Sequence, residues 1–213
     1  MGQSIARNLR AESKKDWRKR LAAARLSASD DPARNASLQA RLEALIGQLA
    51  AHAIGFYWPL RGEFDARAAI ASWLAGDPAR RAALPVIAAR HTPLDFHLWT
   101  PDTPMREGHH GIPEPASSQH VIPDLLLVPC VGFDADGYRL GYGGGYYDRT
   151  LAAWPGGGAL PVTVGIAWEA CRIDAGVLER EAHDLPLDAV VTDAATHLTV
   201  RMAPHLEPRR LRG

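Results

Sequence analysis

The sequence predicts an α/β fold in which one mostly parallel sheet is flanked by helices, with a glycine-rich phosphate-binding loop after a central strand. Three observations favour this class. Short apolar runs alternate along the chain with segments whose apolar residues recur at helical spacing. The runs are continuously apolar, as in parallel strands that are buried on both faces. A glycine-rich stretch follows the most apolar run, where open α/β sheets bind their ligands.

The first half of the chain is predicted to contain three helices and three strands. Ser13 is suited to cap the first helix, with Asp16 three positions on as a weak capping box. In the second helix, apolar residues from Leu38 to Leu49 form one stripe. Pro59 ends the first apolar run. The expected helices cover 13–26, 33–50 and 65–74, and the expected strands cover 53–58, 84–89 and 96–99.

The second half is predicted to begin with a long loop over 101–123, which is rich in Pro, Gly, His and Ser. Within it, His109 and His110 fit a solvated pair better than a zinc site, because no ligand spacing accompanies them. The clearest buried strand of the sequence, over 124–129, follows. Beyond it we expect a short helix over 146–153 and strands over 162–167 and 189–192.

Composition and charge exclude several classes of protein. The 24 basic residues balance 24 acidic ones, so no overall field attracts nucleic acid or anionic lipid. The longest apolar run is far too short for a membrane helix, and two cysteines do not make a disulfide scaffold. We therefore expect a cytoplasmic monomer that acts on small molecules. With no repeat or linker, we expect one domain over 1–213, with residues 1–12 and the chain beyond about 200 peripheral.

The glycine-rich segment over 139–149 (RLGYGGGYYDR) is the most informative part of the sequence. Four glycines in five positions let the backbone approach a ligand closely and direct several amide N–H groups at one point. The chemistry suits an anion, most often phosphate, and Asp148 could then hold a Mg²⁺ that bridges phosphate oxygens. A plain tight turn is the alternative, since neither the dinucleotide nor the Walker pattern is present.

Residues 124–149 (DLLLVPCVGFDADGYRLGYGGGYYDR) resemble the signature of the 5-formyltetrahydrofolate cyclo-ligase family. The resemblance extends over nearly the whole chain, because further motifs occur in the family's order and spacing. These are 14–18 (KKDWR), 57–59 (YWP) with Glu63, 111–115 (GIPEP) and 183–188 (HDLPLD).

The resemblance implies an ATP- and Mg²⁺-dependent conversion of 5-formyltetrahydrofolate to 5,10-methenyltetrahydrofolate, with release of ADP and phosphate. A formamide carbonyl is a poor electrophile, and phosphorylation of its oxygen turns that oxygen into a leaving group. The folate N10 then attacks the carbon and phosphate departs. Because the substrates supply the nucleophile in both steps, the protein needs only to position them and stabilise charge.

The resemblance also assigns site residues. Trp58 and Glu63 match the folate-binding positions, and Asp148 and Asp184 match the Mg²⁺ positions. Catalysis is assigned to Lys14, Arg139 and Tyr147. The residues assigned to ATP are Lys14, Arg18, Arg139, Leu140, Gly141, Tyr142, Gly143, Gly144, Gly145, Tyr146 and Tyr147.

The residues alone leave other interpretations open. Lys14 and Arg18 fit a solvated basic helix face, and Trp58 fits a core aromatic. Glu63 fits a carboxylate at a helix start, and the two aspartates fit ordinary turn residues.

The sequence also departs from the family at one position, because some members carry Lys where this chain has Gly144. The loop then lacks a cation of its own, and Mg²⁺, Arg139, Arg149, Lys14 or Arg18 must compensate the phosphate charge. Two other functions stay open, a folate-binding protein without turnover and an ATP-dependent phosphotransferase with another acceptor.

Overall fold

The computed structural model describes residues 13–155, 159–174, 176–178, 180–181 and 184–206, so the segment 1–12 that we expected to be peripheral lies outside the described residues. None of the helices in these ranges is long and apolar enough to cross a membrane. The α-helices of these ranges are α1 (Lys14–Ser29), α2 (Pro32–Gln48), α3 (Arg67–Ala75), α4 (Tyr146–Ala152) and α5 (Ala203–Leu206).

The strands form one large sheet and two small ones. The large sheet has seven strands in the order β12-β11-β9-β6-β1-β2-β3, and the small ones pair β10-β7-β8 and β4-β5. The strands are β1 (Ala53–Gly55), β2 (Arg81–Val86), β3 (Asp95–Trp99), β4 (Met105–Glu107), β5 (Pro113–Pro115), β6 (Leu125–Pro129), β7 (Gly132–Asp134), β8 (Arg139–Leu140), β9 (Val162–Ile166), β10 (Arg172–Ile173), β11 (Ala189–Val191) and β12 (Thr196–Leu198).

The large sheet has the predicted architecture. Its five central strands, from β11 to β2, are all parallel, and only the edge strands β3 and β12 run antiparallel to their neighbours. Helices cover both faces, so the central strands are buried on both sides. The predicted fold class is confirmed.

Strand β6 shows why its sequence is continuously apolar. Leu125 and Leu127 belong to one core cluster, which also contains the buried faces of α1, α2 and α3. Leu126 and Val128 point to the other face, where Leu151 of α4 packs. Because successive side chains of a strand alternate in direction, both sets must be apolar.

The two N-terminal helices begin where their capping residues predict. Ser13 accepts from the backbone of Asp16 and the Asp16 side chain accepts from the backbone of Ser13, which completes the capping box. Asp31 caps α2, with Pro32 in its first turn. Helix α1 continues three residues beyond the predicted end at 26, because Asp30 closes it with backbone hydrogen bonds to Leu26 and Ala28.

Two strands differ from their predicted bounds. Strand β1 ends at Gly55 instead of 58, because beyond Phe56, whose N–H still bonds to Ala83 O at 2.9 Å, the chain turns out of the sheet. Strand β2 starts at Arg81 instead of 84 and ends three residues earlier than expected. Both shifts reflect pairing with neighbouring strands, which apolar runs do not specify.

The predicted long loop over 101–123 is wrong. It contains the hairpin of β4 and β5, joined by a 3₁₀ turn over His109–Gly111. Gly108 N–H donates to Ile112 O at 2.9 Å, and Arg106 pairs with the buried Glu114 at 2.8 Å. Strands β7, β8, β10 and β12 were not predicted either, since each has only two or three residues.

The chain beyond about residue 200 is not wholly peripheral. Met202 is fully buried in the core, and Arg201 Nε donates to the buried Asp188 at 2.9 Å. This segment therefore contributes to the packing that closes the α1–α3 face of the sheet.

Candidate active site

A cleft of about 700 Å³ opens at the carboxyl ends of β1, β2 and β6. Trp58, Ile87 and Pro129 line it from the ends of these strands, and α1 and the glycine-rich loop close it. Every residue that the resemblance assigned to the site lines this one cleft. These are Lys14, Arg18, Trp58, Glu63, Arg139, Leu140, Gly141, Tyr142, Gly143, Gly144, Gly145, Tyr146, Tyr147, Asp148 and Asp184.

The glycine-rich loop runs from β8 to α4 in a conformation that requires glycine at two places. Gly143 and Gly145 have φ of +93° and +64°, in the left-handed region that other residues rarely adopt. Two arginines hold the loop from outside. Arg18 Nε donates to Gly141 O at 2.7 Å, and Arg149 Nη2 donates to Gly144 O at 2.5 Å. The loop is therefore fixed at both ends by cations.

Lys14 reaches into the cleft from the first turn of α1. Its Nζ donates to Glu181 Oε1 at 3.0 Å and to Asp184 Oδ2 at 3.3 Å. Partial burial lowers the pKa of Lys14, but these two hydrogen bonds outweigh it, so its pKa is raised and the ammonium stays charged. Lys14 and Arg18 thus contact the cleft together, and neither belongs to a merely solvated helix face.

The two predicted Mg²⁺ ligands are each paired with a cation in this structure. Asp148 accepts a hydrogen bond from Arg139, whose second nitrogen donates to Leu185 O at 3.2 Å. Asp184 pairs with Lys14 at 3.3 Å. Opposite charges therefore alternate along this side of the cleft.

Glu63 lines the same cleft and is almost completely buried. Its side chain is only 5% exposed, its Oε2 accepts from Leu60 N–H at 2.7 Å, and its Oε1 accepts from Tyr142 O–H at 2.5 Å. Burial raises the pKa of Glu63, and the hydrogen bonds from Leu60 and Tyr142 and the charge of Arg25 offset part of the rise. Glu63 caps no helix, because α3 begins after Ala66.

Aromatic side chains form the wall next to Glu63. Trp58 is half-buried in the cleft, with the Arg67 guanidinium 4.4 Å from its ring centroid. Burial raises the pKa values of the Tyr57 and Tyr147 phenols, so both stay protonated. The wall is therefore aromatic, its two phenols carry no charge, and the Arg67 guanidinium is the cation that contacts it.

Similarity to known proteins identifies the family of this chain. The sequence profile of the 5-formyltetrahydrofolate cyclo-ligase family matches residues 10–193. The chain belongs to this family. A 5-formyltetrahydrofolate cyclo-ligase of Haemophilus influenzae is 38% identical over 151 residues, or 67% of this chain and 76% of the relative. That of Escherichia coli K12 is 36% identical over 152 residues, or 67% and 78% of the two chains.

Solved cyclo-ligase structures have the same fold. A 5,10-methenyltetrahydrofolate synthetase from Aquifex aeolicus matches with a TM-score of 0.71 at 27% identity, over 92% of this chain and 94% of that one. One from Mycoplasma pneumoniae matches with a TM-score of 0.65 at 24% identity, over 85% and 99%. The family that the motifs predicted is thereby confirmed, and the chain is an enzyme of the cyclo-ligase family.

The two residues predicted to hold a metal, Asp148 and Asp184, offer oxygen donors only. Within the described residues, no group of three or more His, Cys, Asp and Glu side chains could hold a metal ion. Asp148 and Asp184 nevertheless suit Mg²⁺, which binds through one or two carboxylates together with substrate phosphates and water. The chain therefore fits a Mg²⁺ that arrives with a phosphate ligand.

The β4–β5 hairpin contributes cleft residues that sequence reasoning underrated. His109 and His110 line the cleft, where His110 is exposed and His109 half-buried, so the prediction of a solvated pair is not contradicted, and the buried Glu114 lines the same cleft. The motif over 111–115 was the only signal that could have placed this segment. The other lining residues that were not predicted are Tyr57, Leu60, Pro85, Ile87, Leu94, Pro129, Tyr138, Glu181 and Leu185.

Proposed function

We propose that the chain catalyses the ATP- and Mg²⁺-dependent conversion of 5-formyltetrahydrofolate to 5,10-methenyltetrahydrofolate, with release of ADP and phosphate. One observation carries the proposal. A single cleft of about 700 Å³ combines a glycine-rich loop and cations with a buried carboxylate and aromatic side chains. Two substrates of opposite chemistry can therefore meet within one cavity.

The part of the cleft around Glu63 is built for a flat, hydrogen-bonding ring. Glu63 presents a carboxylate that can accept two N–H bonds from the aminopyrimidine edge of a pterin. Trp58 offers a face on which the ring stacks, and the protonated phenols of Tyr57 and Tyr147 add no charge to the wall. An acceptor without such a ring would gain nothing from this pair, which disfavours a phosphotransferase with another acceptor.

The part of the cleft around the glycine-rich loop is built for a triphosphate. Backbone amides of residues 141–145 bind the phosphates, and Lys14, Arg18 and Arg139 contribute positive charge. Asp148 and Asp184 would hold a bound Mg²⁺, which would supply positive charge for the phosphate oxygens. Lys14 and Arg139, which pair with Asp184 and Asp148 in this structure, would then turn to the phosphates.

The reaction then proceeds between the two substrates. The formyl oxygen attacks the γ-phosphorus of ATP, the bond to ADP breaks, and the oxygen becomes part of a phosphate ester. The folate N10 attacks the activated carbon and the ring closes, N10 gives up its proton, and the bond from carbon to oxygen breaks, so that hydrogen phosphate leaves with that oxygen and that proton. Lys14 and Arg139 stabilise the phosphoryl charge, and Tyr147 holds the neighbouring wall. All of these residues come from one chain, so we propose that a monomer is sufficient.

The test is an absorbance assay for the methenyl product, whose new conjugated ring absorbs in the near ultraviolet where 5-formyltetrahydrofolate does not. Product formation only when ATP and Mg²⁺ are both present supports the proposal. Saturable folate binding without product would instead support a folate-binding protein that lacks turnover. ATP turnover with neither folate binding nor product would support a different acceptor.

A further inference from the structure

One side chain connects the glycine-rich loop with the buried Glu63 carboxylate. Tyr142 belongs to the loop, yet its hydroxyl lies 2.5 Å from Glu63 Oε1 in the proposed folate pocket. Arg25 of α1 donates a hydrogen bond to the same hydroxyl. Nearly half of Tyr142 is exposed, whereas the side chains of Glu63 and Arg25 are only 5% and 9% exposed. The tyrosine therefore extends from the surface into a buried polar pair.

The direction of these hydrogen bonds is fixed by chemistry. An arginine only donates, so the Arg25 contact uses a lone pair of the Tyr142 oxygen. The one phenolic proton is then left for Glu63, which as a carboxylate only accepts. The Arg25 guanidinium itself stays 3.9 Å from Glu63 Oε1, so the tyrosine hydroxyl lies between the two charges.

The surroundings of Glu63 make this donor important. Besides Tyr142, the only ionisable group among the described residues that shifts the pKa of Glu63 is the Arg25 cation, whereas Tyr57, Cys130 and Tyr147 are buried groups whose own pKa values the Glu63 charge raises. Burial raises the pKa of Glu63, and the hydrogen bonds from Leu60 N–H and Tyr142 O–H counteract it. Of these two donors, only the Tyr142 hydroxyl belongs to the glycine-rich loop.

The loop is attached to α1 next to Tyr142. Arg18 Nε donates to Gly141 O at 2.7 Å, and the Arg18 guanidinium also lies against Gly143. Arg18 is one of the residues assigned to the phosphates. A ligand that moves Arg18 or the loop therefore also moves the donor of Glu63.

We propose that Tyr142 is a positioning residue that holds the Glu63 carboxylate for the folate ring, so that folate binding depends on the conformation of the nucleotide loop. The folate part of this inference rests on the proposed function. The hydrogen bond between Tyr142 and Glu63, and its effect on Glu63, do not depend on the proposed function.

The first test uses Tyr142→Phe, which removes only the hydroxyl from a residue that is nearly half exposed. Tyr138→Phe is the matched control, because Tyr138 lines the same cleft and its ring packs against Arg180 instead. For Tyr142→Phe we expect the KM for 5-formyltetrahydrofolate to rise about tenfold, about 1.4 kcal/mol, while the KM for ATP changes less than about twofold. An unchanged folate KM, or equal changes for both substrates, overturns the proposal.

The pH profile of the same variant gives a second readout. Without the phenolic donor the ionised form of Glu63 is less stable, so its pKa rises further. The acidic limb of kcat/KM for folate should then move to higher pH in Tyr142→Phe and stay in place in Tyr138→Phe. A limb that does not move means that Tyr142 does not act through Glu63.

The last measurement does not depend on turnover. The carboxyl ¹³C resonances of the ligand-free protein are followed as the pH is varied. The resonance of Glu63 is the one that disappears in Glu63→Gln. A higher titration midpoint in Tyr142→Phe supports the hydrogen bond even if the wild-type protein makes no methenyl product. An unchanged midpoint overturns the proposal, whereas a missing product with a shifted midpoint refutes only the proposed function.

Discussion

Lys14 occupies the position where charge matters most for the proposed nucleotide site. The loop carries Gly144 where some relatives have lysine, and the nearest substitute, Arg149, already donates to the Gly144 carbonyl at 2.5 Å. Lys14 has its pKa raised by Glu181 and Asp184 despite partial burial, so it stays fully charged at neutral pH. It is therefore the cation best placed to replace the missing loop lysine.

We expect Lys14→Ala to lower kcat/KM for ATP by more than about tenfold, and by more than the same change in a relative with the loop lysine. Lys15→Ala is the matched control, since Lys15 is exposed on the same turn and does not line the cleft. Steady-state kinetics with varied ATP measures both. A loss below about threefold, or about 0.7 kcal/mol, would contradict this role.

Burial of the Glu63 carboxylate, which suits it to bind a ligand, reduces the stability of the folded protein at neutral pH. Because burial raises its pKa, the folded state binds this proton more tightly than the unfolded state. The stability that Glu63 contributes is therefore complete below the ordinary glutamate pKa of about 4.3 and is lost as pH rises through the raised value. At neutral pH the folded protein carries the buried charge of the ionised Glu63 carboxylate. Only a bound ligand pairs fully with that charge.

For Glu63→Gln we expect kcat/KM for folate to fall at least about tenfold, because a charged acceptor of hydrogen bonds is lost. The thermal midpoint of the variant minus that of the wild type should be higher at neutral pH than below about pH 4.3, since the variant has no charge to bury. Glu107→Gln, on the exposed strand β4, is the control. A midpoint difference that does not vary with pH would refute the linkage.

At the level of elements, the shape of the glycine-rich loop depends on its backbone conformation rather than on its side chains. Gly143 has a φ of +93°, and an added Cβ would lie 3.3 Å from Arg18 Nη2. Gly141 lies outside the left-handed region and has no atom within 4 Å of the same added carbon. The two glycines therefore offer a matched pair of substitutions in one loop.

We expect Gly143→Ala to raise the KM for ATP several-fold and to destabilise the fold by about 1–2 kcal/mol, because alanine is strained at positive φ. Gly141→Ala should have clearly smaller effects on both. Kinetics with varied ATP and chemical denaturation measure the two variants. Equal effects would mean that the conformation at Gly143 is not what shapes the phosphate site.

The elements that sequence reasoning missed share a physical cause. Strands β4 and β5 have three residues each, and Pro113 and Pro115 suggest a loop because proline cannot donate to a ladder. What holds the hairpin in place is the Arg106–Glu114 ion pair and the packing of β5 against β2 and β3, neither of which is visible in local sequence. Helices α1 and α2, by contrast, carry their caps and apolar stripes in the sequence itself.

The proposed folate pocket was predictable only in part for the same reason. Motif matching named Glu63 and Trp58, but the Tyr142 and Arg25 contacts join residues 79 and 117 positions apart in the chain. No spacing rule links them, because they meet only after α1, the loop and the end of β1 pack together. Their assigned roles stay predictions until the variants above are measured.

At the level of the whole molecule, the two cysteines report on the integrity of the core. Cys130 follows β6, Cys171 lies between β9 and β10, and both are buried. Burial raises their pKa values to about 12 and about 11, so both thiols are protonated near their ordinary pKa of about 8.5. The thiolate is the reactive form, and both burial and protonation oppose its attack on a reagent.

We therefore expect an aromatic disulfide reagent near pH 8.5 to label neither cysteine until the protein opens, and denaturant to expose both together. ATP and 5-formyltetrahydrofolate should slow labelling, because a ligand that binds only the folded state stabilises it in proportion to the logarithm of its concentration. The single variants Cys130→Ala and Cys171→Ala separate the two rates. Rapid labelling of either thiol in the native protein would show that the core on that face of the sheet opens independently.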